Sequence, residues 1–197
     1  MATRRGPRFK ECRRLGVNVC GHPKAMKRAG APAFAKRRKV SEYSMQLTEK
    51  QKIKAYYGIF EKQLLRYYNM AQKRPGKTGD NLFEILECRL DNLVYRIGFA
   101  NSIRLARQMV THGHVLVNGK KINIPSYTVQ VGDVITLKEK SAKNEIWREN
   151  FYNMGSFSLP YIQKDTEHFC GSLLRLPKRE EVPVQVDDQM VVELFSR

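Results

Sequence analysis

The sequence predicts an α+β protein with amphipathic helices, a small unit in which a helix pair packs on a short antiparallel sheet, and a basic, extended N-terminal arm. Apolar residues recur at helical spacing through residues 48–73 and again through residues 82–97, as in helices with one buried face. Asn118-Gly119 stands between VLV and KKINI and is the preferred pair for a two-residue type I′ hairpin. Residues 1–54 hold 16 basic and 3 acidic residues, a net charge of +13, which predicts the basic arm.

The composition indicates a soluble protein with an anionic partner. At 197 residues the chain is long enough for one or two domains with their own cores. Its net charge is +17, from 36 Lys and Arg against 19 Asp and Glu. Because so much positive charge opposes compaction unless a polyanion is present, nucleic acid or an anionic membrane surface is the first partner class to consider.

Neither a membrane span nor a secretory signal is predicted. No apolar run approaches the roughly 20 residues that a membrane-spanning helix needs, and no apolar segment follows the basic N-terminus. The four cysteines, Cys12, Cys20, Cys88 and Cys170, are unevenly spaced. We therefore expect no disulfide framework and a reduced, cytoplasmic setting.

The first forty residues combine Arg, Lys, Gly and Pro without sustained periodicity. The stretches RRGPRFKECRRLG and KAMKRAGAPAFAKRRK predict an extended arm with at most short helical turns, poorly ordered without its partner. The alternative is a tail that only improves solubility. It is disfavoured because the arm carries almost no compensating acid.

Two helical segments follow and are expected to form the first core. Thr48 and Gln51 fit a capping box at the start of a long helix over residues 48–73. The aromatic stripe of that helix is expected to be core rather than a platform for base stacking. A turn over residues 74–81 leads into the second pattern, which ends at Gly98.

The next segment predicts a helix that presents cations. Asn101 or Ser102 can cap it, and Gly113 can end it as a C′ glycine. Arg104, Arg107 and Gln108 share one face, since positions three and four apart are neighbours on a helix.

Two lysines, Lys120 and Lys121, leave the Asn-Gly turn, and a further strand follows the Gly132-Asp133 turn. The charges would gather at the helix start and the hairpin. Phosphate oxygens are bound by such guanidinium forks and ammonium groups, so this surface is suited to a nucleic-acid backbone.

This segment closely resembles the RNA-binding module of the bacterial small ribosomal subunit protein four family. The resemblance covers RLDNLVYRIGFANSIRLARQMVTHGHVLVNGKKINIPSYTVQVGDVITLKEKS. It extends through RRGPRFKECRRLG, RKVSEYSMQLTEKQKIKAYYGIFEKQ, LPKREEVPVQ and QMVVELFSR, and so over nearly the whole chain.

The resemblance implies a domain organisation and a function. A basic arm (1–40) would precede a mainly helical domain (41–87 and 142–197) into which the RNA-binding module (88–141) is inserted. The protein would be a structural, non-enzymatic component of the small subunit, without a cofactor. It would bind 16S-type ribosomal RNA, organise a helix junction of the 5′ domain during assembly and contribute to translational accuracy. Its neighbours would be small-subunit proteins five and three and the channel through which mRNA enters.

The resemblance also implies which residues make contacts. RNA contacts carried over to this chain are Arg104, Arg107, Gln108, His112, His114, Lys120 and Lys121 in the module and Arg4, Arg5, Arg8, Lys10, Arg13 and Arg14 in the arm. Four further cations would lie near incoming mRNA: Lys36, Arg37, Arg38 and Lys39. Protein five would be approached by Tyr43, Gln46, Ser196 and Arg197.

One departure from the family concerns zinc. Many relatives carry four N-terminal cysteines as a zinc knuckle, whereas this chain has only Cys12, Cys20 and His22 there. Structural zinc requires four ligands in closed tetrahedral geometry, so we expect no metal.

Three other functions compete with this interpretation of the sequence. A pseudouridine synthase with the same module would use the Asp of an Arg-Leu-Asp tripeptide, here Arg89-Leu90-Asp91. That tripeptide lies in a helical apolar pattern without a large sheet domain around it, which favours a structural Asp. A helix-turn-helix DNA-binding regulator is disfavoured because nothing indicates dimerisation. A paralogue of the ribosomal protein stays open.

Overall fold

The computed structural model describes residues 6–27, 41–153 and 159–196. The α-helices in these ranges are α1 (Arg8–Leu15), α2 (Glu42–Tyr56), α3 (Glu61–Gln72), α4 (Thr78–Glu87), α5 (Leu90–Ile97), α6 (Ile103–Thr111), α7 (Glu139–Ala142), α8 (Glu145–Asn153) and α9 (Asp188–Ser196). The strands are β1 (Val115–Val117), β2 (Lys120–Lys121), β3 (Val134–Leu137), β4 (Ile162–Asp165) and β5 (Cys170–Leu173). Helices and a small antiparallel sheet confirm the predicted α+β class.

The chain divides into two compact units. Phe83–Pro183 form one unit, and the described residues up to Leu82 form the other together with those from Val184 onward. Among the described residues, no helix is both long and apolar enough to cross a membrane.

Helices α2, α3 and α9 build the core of the first unit. Ile53, Leu64 and Tyr68 are buried, and the Tyr68 ring stacks on Phe195 of α9 at a centroid distance of 4.5 Å. The predicted single helix over residues 48–73 is instead two helices, because the chain passes through Gly58 at φ 61°, a conformation that an L-residue rarely adopts. The first of them begins earlier than predicted, since the Ser41 hydroxyl caps it by accepting from the Ser44 amide.

Part of the arm folds, which corrects the prediction of an extended segment. Residues 8–15 form α1, which ends at Gly16 with φ 71°. Cys12 and Leu15 are buried in a cluster completed by Ala55 and Tyr56 of α2. Burial of this apolar side therefore orders α1 and leaves its charged side to solvent.

The second unit contains a five-stranded antiparallel sheet in the order β2-β1-β3-β5-β4. Val115, Val117 and Ile135 of this sheet belong to the same buried cluster as residues of α5 and α6. The helix expected over residues 82–97 is broken at Arg89, whose backbone is extended (φ −70°, ψ 139°) and bridges to Thr128. Backbone pairing with this passing segment replaces the helical hydrogen bonds there.

The sheet also bears on the predicted domain boundaries. The sequence predicts that residues 142–197 belong to the helical domain, yet β4 and β5 lie within them and β5 pairs with β3 of the module. Because these strands continue the module's sheet, the described residues up to Pro183 in this range (142–153 and 159–183) fold with the module in the second unit.

The turn and cap predictions of the module are confirmed. Asn118 and Gly119 both have positive φ, 50° and 76°, and join β1 to β2 as a type I′ turn does. Ser102 caps α6 by accepting from the Leu105 amide, and Gly113 (φ 69°) follows its end.

Candidate nucleic-acid interface

A buried carboxylate holds two arginines at the junction of α5 and α6. Asp91 is fully buried and accepts from Arg89 Nε at 3.0 Å and from an Arg89 terminal nitrogen at 2.8 Å. It also accepts from Arg107 Nε at 2.8 Å and from an Arg107 terminal nitrogen at 2.5 Å. Two guanidiniums thus share one buried carboxylate at this junction.

This arrangement explains the Arg-Leu-Asp tripeptide without catalysis. A carboxylate that is fully buried and paired on both sides is not open to a substrate atom, and its hydrogen bonds to two cations are of the strong, charge-assisted kind. The tripeptide thus serves the packing of α5 against α6. Sequence reasoning identified Asp91 as structural but could not name its partner on α6, 16 residues away.

The polar side of α6 bears three of the predicted contacts. Arg104 and Gln108 are exposed, whereas the Arg107 side chain is only 14% exposed because it turns toward Asp91. The two arginines, which are predicted to share one face of α6, therefore differ in exposure. The Arg107 guanidinium is already fixed in place by Asp91.

Two histidines follow α6 and differ in environment. His112 is exposed. His114 Nδ1 lies 2.9 Å from Ser141 Oγ, and its ring meets Trp147 edge-on at 5.0 Å. Burial, with smaller contributions from the charges of His112 and Lys138, lowers the pKa of His114 below its usual value. At neutral pH His114 is therefore a hydrogen-bonding group rather than a cation.

The hairpin places its lysines beside the end of α6. Lys120 and Lys121 are exposed in β2, and the end of the Lys121 side chain lies where a Cβ on Gly113 would project. Asn118 fixes the turn to β3, because its side chain donates to Asp133 Oδ1 at 2.7 Å and accepts from the Val134 amide at 2.9 Å. Helix α6 and the hairpin thus form one cationic surface, which we call the module surface: Arg104, Arg107, Gln108, His112, Lys120 and Lys121.

A second cationic surface lies on α1. Arg8, Lys10, Arg13 and Arg14 are all exposed, on the helix whose buried residues are Cys12 and Leu15. We call these four cations the α1 surface. Six other predicted RNA contacts lie outside the described residues: Arg4, Arg5, Lys36, Arg37, Arg38 and Lys39.

The residues predicted to contact protein five differ in their exposure to solvent. Tyr43 is 55% exposed and Ser196 is exposed, while Arg197 lies outside the described residues. Gln46 is only 1% exposed and donates to Glu193 Oε2 of α9 at 3.1 Å. Its side chain joins α2 to α9 within the protein, which corrects the expectation of an outward contact.

Cys12, Cys20 and His22 do not form a group of ligands. His22 Nδ1 accepts from the Lys24 amide at 3.1 Å, and its ring packs 5.0 Å from that of Phe9. In residues 6–27, 41–153 and 159–196, no three His, Cys, Asp or Glu side chains are arranged to hold a metal ion.

Sequence reasoning missed a second buried hydrogen-bond network in the second unit. Glu87 is fully buried and accepts from Asn92 at 2.7 Å, from Arg96 at 2.9 Å and from the Tyr161 hydroxyl at 3.0 Å. Burial and the Glu87 charge raise the pKa of Tyr161, so its hydroxyl remains a donor. The spacing of five residues between Glu87 and Asn92 is only weak evidence that the two side chains are in contact. Nothing in the sequence indicates a contact with Tyr161, 74 residues away.

Both units of the chain match known proteins. Residues 3–87 match the family model described as "Ribosomal protein S4/S9 N-terminal domain", and residues 88–135 match the model described as "S4 domain". The chain is 54% identical to the small ribosomal subunit protein uS4 of Finegoldia magna, with all of both chains covered. The chain belongs to the uS4 family.

Other uS4 relatives also match over their full length. Identity is 52% to the small ribosomal subunit protein uS4B of Clostridium acetobutylicum and 43% to the small ribosomal subunit protein uS4 of Geobacillus sp. (strain WCH70), again with all of each chain covered. The likeness to uS4 proteins therefore covers both compact units of this chain, not the module alone.

Proposed function

We propose that this protein is a structural component of the small ribosomal subunit and binds small-subunit, 16S-type ribosomal RNA. Its membership of the uS4 family along the whole chain supports the ribosomal role. The observation that carries the RNA contact is the module surface, in which the end of the Lys121 side chain lies beside Gly113 at the end of α6.

The module surface has the chemistry of backbone recognition. Arg104, Lys120 and Lys121 are exposed, and such groups bind phosphate oxygens by charge-assisted hydrogen bonds. Arg107 is held by a buried carboxylate, so little side-chain freedom remains to be lost on binding. Contacts of this kind position an RNA rather than read its sequence.

The α1 surface is the second proposed contact. Its four cations, Arg8, Lys10, Arg13 and Arg14, project from a helix whose fold is fixed by burial against α2. Their charges are therefore presented by an ordered helix, which lowers the entropy cost of ordering them on the RNA.

The finer roles are carried over from the family resemblance. We propose that the protein organises the junction of helices in the 5′ domain during assembly and contributes to translational accuracy. It would lie beside proteins five and three, with Lys36, Arg37, Arg38 and Lys39 near the channel through which mRNA enters. Exposed Tyr43 supports a contact with protein five.

The direct test is RNA binding by a variant of the module surface. Arg104→Ala, Lys120→Ala and Lys121→Ala together remove three exposed cations without touching the Asp91 ion pairs. Each lost phosphate contact should lower the slope of log affinity against log salt by roughly 0.7–0.9, a total of about 2–3. Binding would be measured on a small-subunit rRNA fragment that contains the 5′-domain junction.

A matched control separates position from total charge. Lys143→Ala, Arg148→Ala and Lys178→Ala remove the same number of exposed cations from other parts of the second unit. We expect a smaller change of slope for this control. Equal losses in the two variants would show that only net charge matters, and wild-type binding by the first variant would refute the module surface as an RNA contact.

A further inference from the structure

Two thiols face each other in the N-terminal segment. Sγ of Cys12 lies 3.5 Å from Sγ of Cys20. The chain reverses between them at Gly16, where φ is 71°, and this returns Cys20 to the side of α1 that carries Cys12. A disulfide bond is about 2.0 Å long, so the two sulfurs need to approach by about 1.5 Å.

The two cysteines differ in access to solvent. Cys12 is fully buried in the cluster with Leu15, Val19 and Ala25, whereas Cys20 is partly exposed. A reagent in solution therefore reaches Cys20 first and leaves Cys12 as the neighbouring thiol. Burial also raises the pKa of Cys12 above its usual value, which further favours Cys20 as the first site of reaction.

We propose that Cys12 and Cys20 are a reversible thiol–disulfide pair, oxidised by exchange with a low-molecular-weight disulfide. The Cys20 thiolate attacks that disulfide, forms a mixed disulfide and releases one small thiolate, which takes up a proton. Cys12 then loses its proton and attacks Sγ of Cys20, releasing the second small thiol. Two protein thiols lose two electrons and two protons in all, and the small disulfide gains them.

The closed pair would tie the end of α1 to the turn that follows it. Arg13 and Arg14 of the α1 surface lie within the ring that Cys12 and Cys20 close. A crosslink in this position limits unfolding of the segment, because it reduces the freedom of the open chain. Cleavage by trypsin at Arg13 and Arg14 should accordingly be slower in the oxidised protein than in the reduced protein.

Thiol mapping of the full-length protein tests the pair. The protein is incubated with oxidised glutathione, free thiols are alkylated, and a protease that cuts after glutamate releases residues 12–42, which contain both cysteines. We expect this peptide to be lighter by two hydrogens, with neither thiol alkylated, and to regain both alkylations after reduction. Cys170, which is also partly exposed and lies in the second unit, should carry only a glutathione adduct.

Single variants identify the order of the steps. Cys12→Ser should leave a persistent glutathione adduct on Cys20, because no thiol remains to displace it. Cys20→Ser should leave Cys12 unreacted because of its burial. A wild-type protein that keeps the adduct on Cys20 with Cys12 still alkylated would overturn the proposal, and so would a disulfide that joins Cys20 to another partner.

Discussion

One buried residue, Asp91, fixes the position of a cation of the module surface, Arg107. Asp91 is fully buried and binds both Arg89 and Arg107. Arg107 is therefore paired with a carboxylate that no ligand can reach. The sequence shows three charged residues but not that two of them share one partner. For this reason a double substitution of Arg104 and Arg107 would mix a loss of fold with a loss of contact.

Asp91→Asn tests the role of this carboxylate. Asn keeps the size of the side chain but leaves two guanidiniums facing a neutral amide. Removing one partner of a buried ion pair costs about 3–5 kcal/mol, and we expect the free energy of unfolding in urea to fall by about that much. Asp165→Asn is the control, since Asp165 lies at a strand end with its side chain 37% exposed. Equal, small effects of both substitutions would contradict the structural role of Asp91.

Turns and caps were more predictable than the continuity of helices. Asn118-Gly119, Ser102 and Gly113 stand where local chemistry alone sets the conformation, so the hairpin and both ends of α6 follow from the sequence. The break at Gly58 did not, because apolar periodicity continues across it. Strands β4 and β5 were missed because their pairing joins residues far apart along the chain, with β5 next to β3.

Gly113→Ala tests how α6 and the hairpin form one surface. Gly113 has φ 69° and would place its new Cβ against the end of the Lys121 side chain. The strain of positive φ should cost about 1–3 kcal/mol of stability, and the displaced lysine should weaken RNA binding. Gly132→Ala is the matched control, because Gly132 has φ 89° and open space around its Cβ position.

Comparison of the two glycine variants separates strain from lysine position. Both should lose similar stability in urea denaturation, since the Lys121 side chain is flexible and can move away. Only Gly113→Ala should lower affinity for the rRNA fragment. If Gly132→Ala lowers affinity equally, the contact between Gly113 and Lys121 has no part in binding.

At the scale of the whole molecule, the positive charge is divided between two compact units. The α1 surface belongs to the first unit, which comprises the described residues up to Leu82 and those from Val184 onward, and the module surface belongs to Phe83–Pro183. The sequence predicted both cationic regions from charge counts and the family resemblance. It did not predict that α1 folds against α2, because only two residues of that helix are buried. Deleting the arm would therefore uncover Ala55 and Tyr56 as well as remove charge.

Charge substitutions on α1 test whether the α1 surface and the module surface both bind the RNA. Unlike deletion of the arm, they leave the buried residues of α1 in place. Replacing Arg8, Lys10, Arg13 and Arg14 by Gln removes four exposed cations but leaves Cys12 and Leu15 in the core, so the unfolding midpoint should change little. The slope of log affinity against log salt should fall by about 3–4, at roughly 0.7–0.9 for each phosphate contact. Combined with the module variant, the losses should add, since substitutions without shared partners behave independently. Measured on the same rRNA fragment, a combined slope no lower than that of either variant alone would mean that the two surfaces do not bind the RNA together.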